Sequence, residues 1–206
     1  MIKAVLFDVD GTLIDTAEAN AMAYSHDFKL LGGKPITTEE YRKSYYHLSA
    51  KKMFKHFFPE MPDQELDRML DERKARASRF FKYMKLFPGA RETLEKLHGR
   101  FKTGIVTSRR SIHVLDFFGI RDCFDVIVTP DDVKNHKPHP ESMNLALQRL
   151  GLKPDEAVYV GDAESDLEIG RATGVKVIMY GPDAIKGDFN IRELKEIPKI
   201  VEKLNR

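Results

Sequence analysis

The sequence predicts an α/β protein: a Rossmann-like, doubly wound parallel sheet with an α-helical domain inserted after its first strand. Three observations lead there. Short β-branched apolar runs recur along the chain, segments of helical spacing separate them, and the alternation fails once, between Thr16 and about Leu86. Regular alternation of strand and helix is the signature of a parallel sheet covered on both faces.

The expected strands are Lys3–Phe7, Thr103–Val106, Val126–Val128, Ala157–Val160 and Val175–Met179. Their shortness, branched side chains and flanking turns favour buried strand over buried helix. Ser111–Phe118, Pro140–Leu150, Asp166–Ala172 and Ile191–Leu204 carry helical spacing. In the interruption, Leu66, Met69, Leu70, Ala77, Phe80, Phe81 and Met84 recur at three- and four-residue steps, which predicts one long amphipathic helix. Phe54, Phe57 and Phe58 form an aromatic cluster ended by Pro59 and are read as bundle core. Pro88 and Gly89 punctuate the return. The expected division is therefore a core of residues 1–15 and 87–206 and a helical cap of residues 16–86.

Composition narrows the function classes. The 206 residues are 42% hydrophobic, enough for a sizeable core, and the formal charge of +2 is too mild to announce nucleic-acid binding. No apolar run approaches the ~20 residues of a membrane span. A lone cysteine, Cys123, excludes an internal disulfide framework and suits a reducing cytoplasm. No basic, cleavable leader opens the sequence, which also leads us to expect a cytoplasmic protein. Monomer and homodimer are equally compatible with the pattern.

Ligands of open α/β sheets bind at the carboxyl ends of the strands, and four such ends carry useful chemistry. The first reads Asp8-Val-Asp-Gly-Thr12, with two acids on one side of an extended strand, Gly11 for a sharp turn and Thr12 to anchor it. Paired carboxylates call for a cation or a shared proton, and a hard ion such as Mg²⁺ suits them. The second end places Thr107 and Ser108 ahead of a helix, where hydroxyls and free N–H groups suit a phosphate. The third, His136-Lys-Pro-His-Pro140, stiffens a loop around Lys137; two histidines without further spaced ligands are poor evidence for zinc. The fourth ends an apolar strand at Asp162 and carries Asp166 four residues on. Each feature has a plain structural reading as a turn, a helix cap or a solvated lysine. Their order and placement together are specific.

The segments "FDVDGT", "IVTS", "KPHP" and "VGDAESD", in this chain order, resemble the haloacid dehalogenase superfamily in its Mg²⁺-dependent, phosphoglycolate-phosphatase-like branch. The resemblance covers the α/β core, and the insert matches that family's cap in position and helical character. It implies that Asp8 is a nucleophile forming an aspartyl-phosphate and that Asp10 is the general acid and base. Mg²⁺ would be held by Asp8, the Asp10 backbone carbonyl and Asp162, with Asp166 supporting the metal site or orienting Lys137. Gly11, Thr12, Thr107, Ser108 and Lys137 would bind the phosphate. Asp15 is assigned instead to the hinge into the cap.

Within that family, Asp10 argues against dehalogenases, which lack the second acid. Sugar-phosphate mutases commonly carry Val after the motif glycine and a His twelve residues after the nucleophile, where this chain has Thr12 and Asn20. The expected function is hydrolysis of a small anionic phosphomonoester, with a sugar-phosphate mutase or a non-catalytic phosphometabolite-binding module as alternatives. Between Thr16 and Leu86, fourteen Lys/Arg stand against ten Asp/Glu, a net of +4 that suits a small anionic substrate. Tyr46, His47 and Lys51 follow an expected helix break and are the cap's candidate substrate contacts.

Overall fold

The computed structural model describes residues 1–46, 48–182 and 185–206. It divides into two compact units, Met1–Asp15 with Leu86–Arg206, and Thr16–Lys85.

The first unit is built on a six-stranded sheet of β1 (Ala4–Phe7), β4 (Lys102–Val106), β5 (Val126–Val128), β6 (Ala157–Gly161), β7 (Lys176–Tyr180) and β8 (Phe189–Ile191), in the order β5-β4-β1-β6-β7-β8. Every pairing is parallel, with Leu6 opposite both Gly104 and Tyr159 in the register. Two further strands, β2 (Ile14–Asp15) and β3 (Lys85–Leu86), pair where the chain passes between the units. Successive strand side chains point to opposite faces. All four residues of β1 are fully buried, so both faces of the sheet centre are covered. On one face Ala4 and Leu6 pack with Val106, Val128, Tyr159, Met143, Ala146 and Leu147, the last three from the helix Glu141–Leu150. Each fully buried Leu or Phe here contributes about 2 kcal/mol by leaving water. Gly104 admits this packing, because a Cβ there would stand 2.4 Å from Val126 and 2.7 Å from Leu6.

The strand order reverses at β1: the chain steps out through β4 and β5, then returns to β6 on the other side. That reversal opens a crevice at the carboxyl ends of the central strands, where ligands of such sheets bind.

The unit Thr16–Lys85 is helical, with helices Ala17–Leu30, Thr38–Glu40, Ala50–Phe57 and Asp63–Arg76, a π-helical turn Tyr41–Tyr45 and a 3₁₀ segment Ala77–Tyr83. Tyr24, Phe28, Tyr41, Met53, Phe54, Leu66 and Met69 form its core, and Phe57 and Phe58 pack against it. Phe28 and Phe57 ring centroids lie 4.6 Å apart. The expected single helix through Met84 is broken, because α-helix ends at Arg76 and a 3₁₀ segment follows. Steps of three residues, such as Ala77 to Phe80 and Phe81 to Met84, stack in a 3₁₀ helix as they do in an α-helix, so spacing alone did not separate the two. The expected helix Ile191–Leu204 is also shorter, running from Ile197 to Leu204 with Pro198 in its first turn. The residues before it form β8 and a 3₁₀ turn, Leu194–Glu196.

Asp27, almost fully buried, joins two helices of this unit. It accepts from Arg73 at 2.6 Å and from Arg76 at 2.9 Å, and the Arg73 guanidinium lies 3.7 Å from the Tyr24 ring centre. Removing one partner of a buried ion pair strands the other charge. Asp27→Ala is therefore expected to lower stability by about 3 kcal/mol, the low end for such pairs because both arginines keep some solvent contact. A urea midpoint unchanged from wild type would refute this.

No helix among the described residues is long and apolar enough to cross a membrane.

Candidate active site

The chain leaves β1 through a tight turn. The Asp8 N–H still donates to Val160, and then Val9 C=O accepts from the N–H groups of Thr12, Leu13 and Ile14. Gly11 sits at φ 87°, a conformation that costs other residues energy. Val9 is fully buried, and of the acids flanking it Asp8 is nearly so while Asp10 is half-buried. Asp8 is 7% exposed, and the Thr12 hydroxyl donates to Asp162 Oδ1 at 2.9 Å, tying this turn to the end of β6.

β6 ends at Gly161 and the helix Glu164–Thr173 begins after a short bend. Asp166 folds back over the bend: its Oδ2 accepts from the N–H groups of Asp162 and Ala163, each at 3.1 Å. A Cβ on Gly161 would stand 2.5 Å from the Asp166 carboxylate. Gly161→Ala is thus expected to push Asp166 off the bend and cut turnover about 100-fold. Unchanged steady-state kinetics in the folded variant would argue against that close approach.

Lys137 comes from the loop after β5. Glu141 holds this loop by accepting from the N–H groups of Lys134 and Asn135 at 2.9 Å, bonds that keep its carboxyl below the usual range. The Lys137 ammonium donates to Asp8 Oδ1 at 2.8 Å, Asp166 Oδ1 at 2.7 Å and Tyr159 Oη at 2.9 Å. Its side chain is 3% exposed. Burial favours the neutral amine, but the Asp8 and Asp166 carboxylates outweigh it and hold the ammonium charged. Tyr159 lies in the middle of β6 and donates to Val106 C=O at 2.7 Å, bracing the lysine from below.

Asp8, Asp162 and Asp166 each offer an oxygen within 4.8 Å of the others. Burial, followed by the neighbouring carboxylates, pushes Asp162 up to about 8. Burial pushes Asp8 up to about 7, with the Lys137 ammonium pulling the other way. Ionised together, the three carboxylates would outnumber the one ammonium by two charges, which is why burial holds protons on them when nothing else neutralises them. A divalent cation with a preference for oxygen fits that deficit in charge and in donor type.

Asp10 lies outside this cluster. Its carboxylate takes the forked guanidinium of Arg109, with Nε at 2.9 and 3.1 Å from its two oxygens and Nη2 at 2.6 Å from Oδ1. Thr107, 3% exposed at the end of β4, accepts the Arg109 N–H on its hydroxyl at 3.1 Å, and Ser108 beside it is exposed. The helix expected from Ser111 starts only at His113, so Thr107 and Ser108 belong to a loop rather than to a helix cap.

The structure thus gathers Asp8, Thr12, Lys137, Asp162 and Asp166 around one point, with Gly11 in the same turn as Thr12. Asp10 stands on a second ion pair beside Thr107. Of the insert candidates, Tyr46 packs its ring 5.9 Å from Tyr41, and Lys51 is exposed in the first turn of the helix that Ser49 caps. His47 lies outside the described residues. Sequence reasoning passed over Arg109 and Tyr159. A tyrosine in a fully buried strand was the available signal for one, since its hydroxyl needs a partner. The Arg109-Arg110 pair after Ser108 gave no indication of which arginine turns inward.

The chain matches the haloacid dehalogenase-like hydrolase family over residues 5–180. It is 34% identical to "Pyrophosphatase PpaX" of Bacillus pumilus, over 97% of this chain and 96% of that one. Identity to "Pyrophosphatase PpaX" of Halalkalibacterium halodurans is 32%, over 98% and 96%. A HAD-superfamily hydrolase of Geobacter sulfurreducens superimposes with a TM-score of 0.82 at 30% identity, covering 97% of this chain and 96% of its own. With acids, lysine and sheet reversal in this arrangement, and a match along nearly its whole length, the chain belongs to the haloacid dehalogenase-like hydrolases.

Proposed function

We propose that this protein hydrolyses small anionic phosphate compounds, inorganic pyrophosphate among them, through an aspartyl-phosphate on Asp8 with Mg²⁺ as cofactor. The observation that carries the reading is Lys137, buried and bonded at once to Asp8 and Asp166 beside Asp162. An ammonium in that position neutralises repulsion between the carboxylate nucleophile and an approaching phosphoryl group. The pyrophosphatase relatives support the choice of substrate.

In the first step an Asp8 oxygen forms a bond to phosphorus while the bond to the leaving oxygen breaks. That oxygen keeps the electron pair and takes a proton from Asp10, which must enter this step as the neutral acid, released from its ion pair with Arg109. In the second step water attacks the same phosphorus and returns a proton to Asp10, and the aspartyl C–O–P linkage opens at phosphorus to restore Asp8. The net reaction on pyrophosphate consumes one water and gives two orthophosphates. Thr107, the Ser108 backbone and Lys137 hold the phosphoryl oxygens, and Gly11 and Thr12 shape the floor. Asp8, the Asp10 carbonyl and Asp162 would hold Mg²⁺, with Asp166 fixing Lys137 and the bend. The ion, when bound, screens the charge between nucleophile and substrate. We assign the insert the part of a cap that excludes bulk water, with Tyr46, His47 and Lys51 as its candidate contacts, and we place the protein in the cytoplasm.

The test is phosphate release from pyrophosphate, phosphoglycolate, a sugar phosphate and a nucleoside monophosphate, each with Mg²⁺ or EDTA. Mg²⁺-dependent release, at about 10⁴ M⁻¹s⁻¹ or more for the best substrate, is expected. Folded protein that binds Mg²⁺ yet releases nothing would sink the hydrolase reading, and phosphoryl movement within the sugar phosphate would favour a mutase.

A further inference from the structure

Arg109 is a cation beside the site that the steps above leave without a role. Its side chain is 13% exposed, and it makes a forked ion pair with Asp10, Nη2 lying 2.6 Å from Oδ1. Its backbone is fixed: the Arg109 N–H donates to the Thr107 hydroxyl, and the Thr107 N–H donates to Val128. The arginine therefore stands in a loop whose first residue is still tied to β5 and whose backbone turns back onto Thr107.

We propose that Arg109 is a specificity-determining residue that receives the negative charge of the leaving group, so that the enzyme selects substrates whose departing half carries its own phosphate or carboxylate. The inference rests on the roles given to Asp8 and Asp10 above. Attack by Asp8 sends the leaving group away on the opposite side of phosphorus. Asp10 protonates the departing oxygen, so that oxygen lies within a hydrogen bond of the Asp10 carboxylate. Arg109 already holds that carboxylate at 2.6 Å. An anionic group one or two bonds beyond the departing oxygen therefore reaches the guanidinium. Such a group competes with Asp10 for the fork, because phosphate and carboxylate present the same paired oxygens that a guanidinium takes bidentately. A leaving group that carries no anionic substituent gains nothing there.

Lys137 does not duplicate this selection. Its ammonium is bonded to the nucleophile and to Asp166, on the side of the transferring phosphoryl. One cation serves the group that stays, and the other serves the group that leaves.

The experiment compares kcat and KM for pyrophosphate, 2-phosphoglycolate and ethyl phosphate in wild type, Arg109→Ala and Arg109→Lys. The ratio of kcat/KM for a charged leaving group to that for ethyl phosphate is expected to fall about 30-fold in Arg109→Ala. Most of the fall should sit in KM, and Arg109→Lys should recover only part of it, since an ammonium cannot fork. A fall for pyrophosphate alone assigns the site to a leaving phosphate, and a fall for phosphoglycolate alone assigns it to a leaving carboxylate. Equal losses on all three substrates would overturn the proposal and make Arg109 only a support for Asp10. Wild type inactive on all three would overturn this inference together with the reading beneath it. Should Arg109→Ala fail to fold, Arg109→Gln makes the same comparison.

Discussion

Asp8→Asn is expected to lower phosphate release by at least about 10⁴-fold, with the protein still folded. An amide oxygen is a poor nucleophile, and no other acid stands where Asp8 does. Asp162 is tied by Thr12, Asp166 is engaged on both oxygens, and Asp10 is held by Arg109. None of them replaces Asp8 without breaking the bonds that position it. Folding should survive, because the substitution removes one negative charge from a buried cluster of three, while Lys137 keeps its bonds to Asp166 and Tyr159. Two readouts separate chemistry from structure: a phosphate-release assay and a thermal melt without metal. Residual turnover above about 1% of wild type, confirmed in Asp8→Ala to exclude deamidation back to aspartate, would mean that water attacks phosphorus directly.

Much of the sheet was legible because fully buried parallel strands are short, branched and bounded by turns. Ala4–Phe7 and Ala157–Gly161 are of that kind, and each is followed at once by an acid. The position of Asp8 and Asp162 at strand ends followed from that pattern. The β2 and β3 strands, two residues each, are too short to carry any period. The break at Arg76 was hidden because three-residue spacing does not distinguish α from 3₁₀ geometry. At the site, the limits were different in kind. Whether Arg109 or Arg110 turns toward Asp10 depends on how Thr107 closes the loop, which is a tertiary fact. The Tyr159 brace depends on β6 lying two strands from Val106 of β4, with β1 between them. Residue type at a strand end can be read from one sequence, but the pairing of side chains across strands cannot.

Removing Mg²⁺ with EDTA is expected to cut turnover at least about 10³-fold and to lower the melting temperature, and two substitutions should separate the acids behind that effect. The stabilisation follows from binding to the folded state alone, about 2.7 kcal/mol when Mg²⁺ is present at a hundred times its Kd. Asp162 has one oxygen accepting from Thr12 and is pushed up to about 8 by burial and by Asp8 and Asp166, so its charge is the least compensated of the three. Asp166 is differently placed. Its Oδ1 accepts from Lys137, and its Oδ2 accepts from two backbone N–H groups. Asp162→Ala should therefore weaken Mg²⁺ about 100-fold while leaving the metal-free melt unchanged or higher. Asp166→Ala should do the reverse, lowering the metal-free melt because the Asp162–Ala163 bend and Lys137 lose their common partner. Titration calorimetry and melts with and without Mg²⁺ read the two effects independently. Equal loss of Mg²⁺ affinity in both variants would make Asp166 a ligand in its own right, and Lys137 would then have to give up one of its carboxylates whenever the ion binds.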